Sequence, residues 1–173
     1  MKKSRIIVNS ALCAAIISLL AQFSVPIGGV NMTMQVFAVA FCAYMFSWKT
    51  ALISTCVYVL LGVCGVPVFS SFSGGVSVLV GPSGGFIFGF IPMAVLLGLG
   101  KKPVPTVLLS IVGLAVCHAA GVLQFAFVTG RTVIESLVLV WLPYVLKDIL
   151  SLIGAYFLAL AVKKRLAHVK NEN

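Results

Sequence analysis

Residues 104–128 read VPTVLLSIVGLAVCHAAGVLQFAFV, a stretch without one charged side chain. A bilayer's hydrocarbon core, about 30 Å thick, takes roughly 20 helical residues to cross at about 1.5 Å each. The stretch is long enough. Its apolar residues fall on every face, neither on one helical stripe nor in strict alternation. That pattern selects a lipid-facing helix over a surface helix or a barrel strand. Five further runs share it, at 6–23, 34–46, 50–66, 84–100 and 137–162. The second and fourth runs in chain order are short, so their ends belong beside wide loops. The fold expected is a single domain over 1–173: an all-α integral membrane protein of six transmembrane helices.

Composition supports this class. Of 173 residues, 61% are hydrophobic and 9% charged, against roughly 45–50% and 25% in soluble domains. Three carboxylates, Glu135, Asp148 and Glu172, accompany twelve Lys and Arg. So little charge cannot clothe a water-soluble surface, which excludes a soluble enzyme and a disordered chain. The net charge of +9 does not signify nucleic acid, because the cations form no patch with interleaved aromatics. They gather where the apolar runs end.

Six crossings place Lys2, Lys3, Arg5, Lys49, Lys101, Lys102, Lys163, Lys164, Arg165 and Lys170 on one side and only Arg131 on the other, with Lys147 inside the last run. The positive-inside bias then puts both termini of a multi-pass membrane protein in the cytoplasm. The basic N-terminus is not read as a cleaved signal, since no small-x-small site precedes polar sequence. Leu12 stands where a lipoprotein site at Cys13 would need a small residue. Cys13, Cys42, Cys56, Cys64 and Cys117 are odd in number and lack CxxC spacing, so they read as buried reduced thiols.

The outer connections are 24–33, 67–83 and 129–136. The middle one, PVFSSFSGGVSVLVGPS, runs directly into GGFIFGF, with aromatics and glycine pairs but no charge. Uncharged backbone of this kind must find hydrogen-bond partners by folding onto the helices or covering a cavity. VPIGGVNMT in the first connection has the same chemistry. Gly74, Gly75, Gly81, Gly84 and Gly85 carry two readings: close packing or tight turns, and close approach of a ligand to the main chain. A phosphate-binding loop is excluded, because GPSGG lacks a following Lys-Ser/Thr.

Asp148 is the only carboxylate inside an apolar run. Burying it costs roughly 2.5–3.5 kcal/mol on insertion scales, so it needs a reason. One is pairing with water or with Lys147 near the outer end of the last run. The other is projection into a polar pocket, where it accepts N–H bonds from a ligand while Lys147 snorkels outward. His118, Gln124 and Gln35 are the other polar groups in or beside the runs; His118 reads as a helix-to-helix hydrogen bond. No second metal ligand lies four residues away, and no nucleophile elbow, HExxH or paired intramembrane Asp appears. Neither a metal, a cofactor nor an enzymatic activity is expected. A near-neutral outer mouth with one buried carboxylate suits a small, partly apolar ligand bearing N–H donors. Without an ATP-binding motif, energy would come from a partner.

Several motifs resemble the BioY family, the biotin-binding S components of energy-coupling factor transporters. They are Tyr58-Val-Leu-Leu-Gly-Val-Cys-Gly-Val-Pro-Val-Phe69, Ser73-Gly-Gly75 and Gly81-Pro-Ser-Gly-Gly-Phe-Ile-Phe-Gly-Phe90, the last departing from the family pattern by Ser83 for Thr and Phe86 for Tyr. Thr33-Met-Gln35 resembles the family's TLQ, and Pro143-Tyr-Val-Leu-Lys-Asp148 its PFLPGD. The resemblance implies the S-component fold, with biotin held beneath the first and middle outer connections. It implies a site drawn from Asp148, Thr33, Gln35, Gly74, Gly75, Ser83, Gly84, Gly85, Tyr144, Ser151 and Lys147. Ser151 stands where the family often has Lys, and Lys147 is the substitute on another face. Ala11-Leu-Cys-Ala-Ala15 resembles the Ala-x-x-x-Ala motif that docks on a membrane coupling subunit, so Ala11 and Ala15 are docking candidates. The partners implied are that subunit, two cytoplasmic ATPase subunits and the lipid bilayer. A stand-alone facilitator or secondary transporter of biotin or another small heterocycle is the alternative.

Overall fold

A computed structural model describes residues 2–27, 29–100 and 102–172 of the protein. Gly28 and Lys101, with the side chains of Lys2, Lys170 and Glu172, lie outside the described residues, so three cations of the inner-side grouping are not placed. The chain is mostly helical. In order it forms α1 (Lys2–Ala21), β1 (Ser24–Ile27), β2 (Val30–Thr33), α2 (Gln35–Met45), α3 (Trp48–Val63), α4 (Val76–Val80), α5 (Gly84–Leu99), α6 (Pro103–Thr129), α7 (Val133–Val140) and α8 (Leu142–Glu172). Three helical stretches are long and apolar enough to cross a membrane: Lys3–Ala21, Pro103–Thr129 and Leu142–Val169. The apolar helices α2, α3 and α5 are shorter, at 11, 16 and 16 residues.

Two differences from the expectation have local causes. The run 137–162 is not one helix. It breaks at Trp141, where α7 ends and α8 begins. Pro143 has no N–H to give the carbonyl of Leu139 and its ring would clash there, so the helix restarts with proline in its first turn. The connection 24–33 is an antiparallel hairpin within an otherwise helical chain, in register Ser24↔Thr33 through Ile27↔Val30. Val25, Ile27 and Val30 favour the pleat, and Gly29 takes φ +92° in the turn. The middle connection is ordered too, as a 3-10 turn at Ser70–Phe72 followed by α4. Gln22 ties that turn to α1: its amide donates to Val68 O at 3.2 Å, and its carbonyl accepts from Phe72 N at 2.8 Å.

Between lipid-embedded helices close packing replaces the hydrophobic effect, because lipid is as apolar as leucine. The α5–α6 seam meets that condition with small residues. A Cβ on Gly85 would lie 2.2 Å from Ala120 O, and one on Gly89 2.8 Å from Cys117 Cα. Gly121 on α6 receives the Phe86 ring. Gln124 closes the outer end of the seam, its amide donating to Gly81 O at 2.9 Å and Leu79 O at 2.5 Å. Behind α5, α3 packs against α1, and α2 packs against α8. Phe69 is buried over Gly62, edge-on to Tyr58. Cys13, Cys42 and Cys117 are buried free thiols, Cys56 is half-buried and Cys64 exposed. In contrast, α6 and α8 stand apart along most of their length.

Candidate functional site

Asp148 is 3% exposed, on the first half of α8. Helical spacing puts Tyr144 one turn earlier on the same face, and it fixes the roof. The Tyr144 hydroxyl lies 2.6 Å from the carbonyl oxygens of both Ile27 and Val30, sharing its proton across the hairpin turn. His118 reaches from α6, its Nε2 3.0 Å from Asp148 Oδ2. Lys147 completes the group. Its ammonium forms an ion pair with Asp148 Oδ1 and donates to Thr33 O at 2.7 Å.

A cavity of about 40 Å³ opens beside this cluster, walled by residues of β2, α2, the 3-10 turn, α5, α6 and α8. Phe86 supplies an aromatic wall. Its ring lies nearly parallel to Tyr144 at 6.5 Å and edge-on to His118 at 5.8 Å. Below, Thr33 Oγ1 donates to Gln35 Oε1 at 2.8 Å, and the Gln35 amide donates to the Tyr58 hydroxyl. Above, Asn31 Nδ2 donates to Ser70 Oγ and Ser71 Oγ, each at 3.0 Å, joining the hairpin to the middle connection. Two buried polar atoms, Asp148 Oδ1 and His118 Nδ1, have no hydrogen-bond partner among the described residues. The Lys147 ammonium gives Oδ1 a counter-charge and leaves it acceptor capacity for a further donor. A buried acceptor with spare lone pairs favours an incoming N–H.

The chain matches the BioY family over residues 1–168. The chain belongs to the BioY family. It is 37% identical over 164 residues to the biotin transporter BioY of Thermotoga maritima, covering 92% of this chain and 96% of that protein. It is 34% identical to biotin transporter BioY2 of Lactococcus lactis, over 91% of this chain and 90% of the relative. A solved structure, an S component for biotin from an ECF-type ABC transporter, superposes with TM-score 0.86 over 94% of this chain and 93% of that one, at 20% identity. The S-component fold is therefore the fold of this BioY-family chain, which is a membrane protein.

Of the residues singled out from sequence, Asp148, Thr33, Gln35, Ser83, Tyr144 and Lys147 line the cavity. Gly74, Gly75, Gly84, Gly85 and Ser151 do not. A Cβ on Gly84 would sit 1.8 Å from Leu79 O and one on Gly74 2.6 Å from Val66 O, so these glycines, like Gly85, serve close backbone packing. Gly75 holds φ +96° just before α4. Ser151 is buried on α8, away from the cavity. Lys147 does not snorkel outward. Its four-carbon stem bends back across the roughly 100° that separates it from Asp148 on the helix. His118 does bridge two helices, but it does so inside the site. It is legible as the one histidine within an apolar run; its partner is not, because α6 and α8 are joined only by the fold. Asn31, Ser70 and Phe86 also line the cavity, and no sequence signal marked them as site residues. Ala11 and Ala15 are exposed on one face of α1, one turn apart.

Proposed function

We propose that this chain is the biotin-binding S component of an energy-coupling factor transporter, a six-crossing protein of the plasma membrane with both termini in the cytoplasm. The observation that carries the reading is Asp148, a buried carboxylate on the wall of a roofed cavity in a BioY-family fold. Biotin's ureido ring offers two N–H donors and one carbonyl acceptor. Asp148 Oδ1 accepts an N–H and the Lys147 ammonium donates to the carbonyl, each charge-assisted bond contributing about 1.5–3 kcal/mol. Phe86 and Tyr144 face the apolar thiophane. Lys147 thereby supplies the cation that the family's usual lysine would supply at Ser151. Thr33, Gln35 and Ser83 complete the polar rim.

About 40 Å³ is room for a water or two, so a bicyclic ligand enters by lifting the hairpin and middle connection. The four-residue spacing of exposed Ala11 and Ala15 suits close approach of a coupling-subunit helix, through which two ATPase subunits would drive release. The test is a calorimetric titration of the purified protein with biotin. Affinity no better than millimolar overturns the assignment. Asp148→Asn keeps shape and volume while removing the charge, and is expected to weaken biotin at least about tenfold, or 1.4 kcal/mol. Unchanged affinity in that variant removes Asp148 from the site.

A further inference from the structure

A second and larger cleft, about 550 Å³, runs between α6 and α8 on the far side of His118 and opens sideways out of the bundle. Its walls are apolar: Val107, Ile111 and Ala115 from α6, Val145, Ile149 and Ile153 from α8. Ile111 is 60% and Ile153 49% exposed, so the lining continues the surface that faces hydrocarbon. From Thr106 to His118 the α6 wall is about 18 Å long, comparable with the roughly 15 Å that one leaflet contributes to the core.

Besides His118 and Trp141, the polar side chains of the cleft gather at one end. There the Tyr44 hydroxyl lies 2.6 Å from Ser110 Oγ, and Ser110 and Thr106 return their protons to the carbonyls of Thr106 and Lys102. Beyond that end the charge is positive. Lys163 and Lys164 follow Tyr156 and Phe157 of the cleft wall by seven residues, two turns along the same face of α8 and about 10 Å further. Lys102 caps α6 directly below Thr106. All three lysines are exposed, and among the described residues no carboxylate pairs with them.

A side-opening apolar slot with hydroxyls and exposed cations at one end matches a molecule with a hydrocarbon tail and an anionic head, since basic pockets at helix ends take phosphate head groups. We propose that the α6–α8 cleft holds an acyl chain of an anionic glycerophospholipid, whose phosphate is bound by Lys102, Lys163 and Lys164. This site shares His118 alone with the carboxylate cavity, and the proposal does not depend on what that cavity binds.

Native mass spectrometry of the full chain in detergent tests it, by titration with phosphatidylglycerol and phosphatidylcholine of identical acyl chains. One phosphatidylglycerol is expected to be retained in preference, with each Lys→Gln change at 102, 163 and 164 weakening it by about fivefold. Ala115→Phe fills the slot at mid-depth from an exposed position and is expected to weaken both lipids. Ile111→Trp, which narrows the mouth, is expected to do the same. Equal retention of the two lipids overturns the proposal. So does lipid binding that survives both slot-filling variants, which would mean adsorption to surface charge alone. Competition by free glycerol phosphate, or displacement of the lipid by biotin, overturns it as well.

Discussion

On its α5 side, α6 is closed backbone against backbone, with glycines where any side chain would collide. On its α8 side it stands off from its neighbour, and the described hydrogen bonding across the gap reduces to His118 and Asp148. One helix therefore makes two kinds of contact. The first is held by shape and tolerates no added atom. The second is held by one polar bridge and leaves room on both sides of it, a small roofed cavity and a long open cleft. In a bilayer, where burial of apolar surface gives no advantage to helix contact, a gap of that kind survives only if something polar pins it.

Added volume in the seam should have the largest effect. Gly85→Leu places a side chain on the Ala120 carbonyl, where backbone cannot yield, and is expected to cost about 3 kcal/mol or more, read as loss of monodisperse protein or a large fall in thermal stability. Normal stability would break the comparison. The polar bridge comes next. His118→Phe is expected to cost about 1.5–3 kcal/mol, and a double-mutant cycle with Asp148→Asn should show coupling. Strict additivity would mean the two helices are held apart by other means.

Gly75→Ala tests a glycine kept for conformation rather than space, since φ is +96° there while the nearest atom to an added methyl is Ser77 Oγ at 3.7 Å. It should cost about 1–2 kcal/mol, less than the seam variant, by the same thermal measurement. The smallest effect belongs to Glu135, far from both contacts. Its bonds from the Thr132 backbone and hydroxyl hold the carboxyl below its ordinary 4.5. A depressed folded-state value means the stabilisation is present above the unfolded value and lost as pH falls through the folded one. Glu135→Gln should therefore lower stability slightly at neutral pH and make no difference in strong acid; equal stability at neutral pH would show that the Glu135 charge contributes nothing to the cap.

The apolar runs made most of the helices legible, because a lipid-facing helix needs only length and the absence of charge. The Trp141 break is written in Pro143 but masked by the continuous hydrophobicity of 137–162. Asp148 stands out for the cost of its burial. The two glycine pairs cannot be told apart from sequence: Gly74–Gly75 and Gly84–Gly85 are identical dipeptides, and only their neighbours decide that one member bends the chain and the others admit a carbonyl. Lys147 departs from expectation for a similar reason, since helical angle fixes where a side chain starts and a four-carbon stem decides where it ends.

The Tyr144 hydroxyl ties the hairpin turn to the helix that carries Asp148, one turn away. Roof and floor are thus fastened to a single beam. Tilting α8 by a few degrees would drag the lid with it, and prying up the lid would tug on the carboxylate, so neither can be redesigned as though the other were fixed scenery.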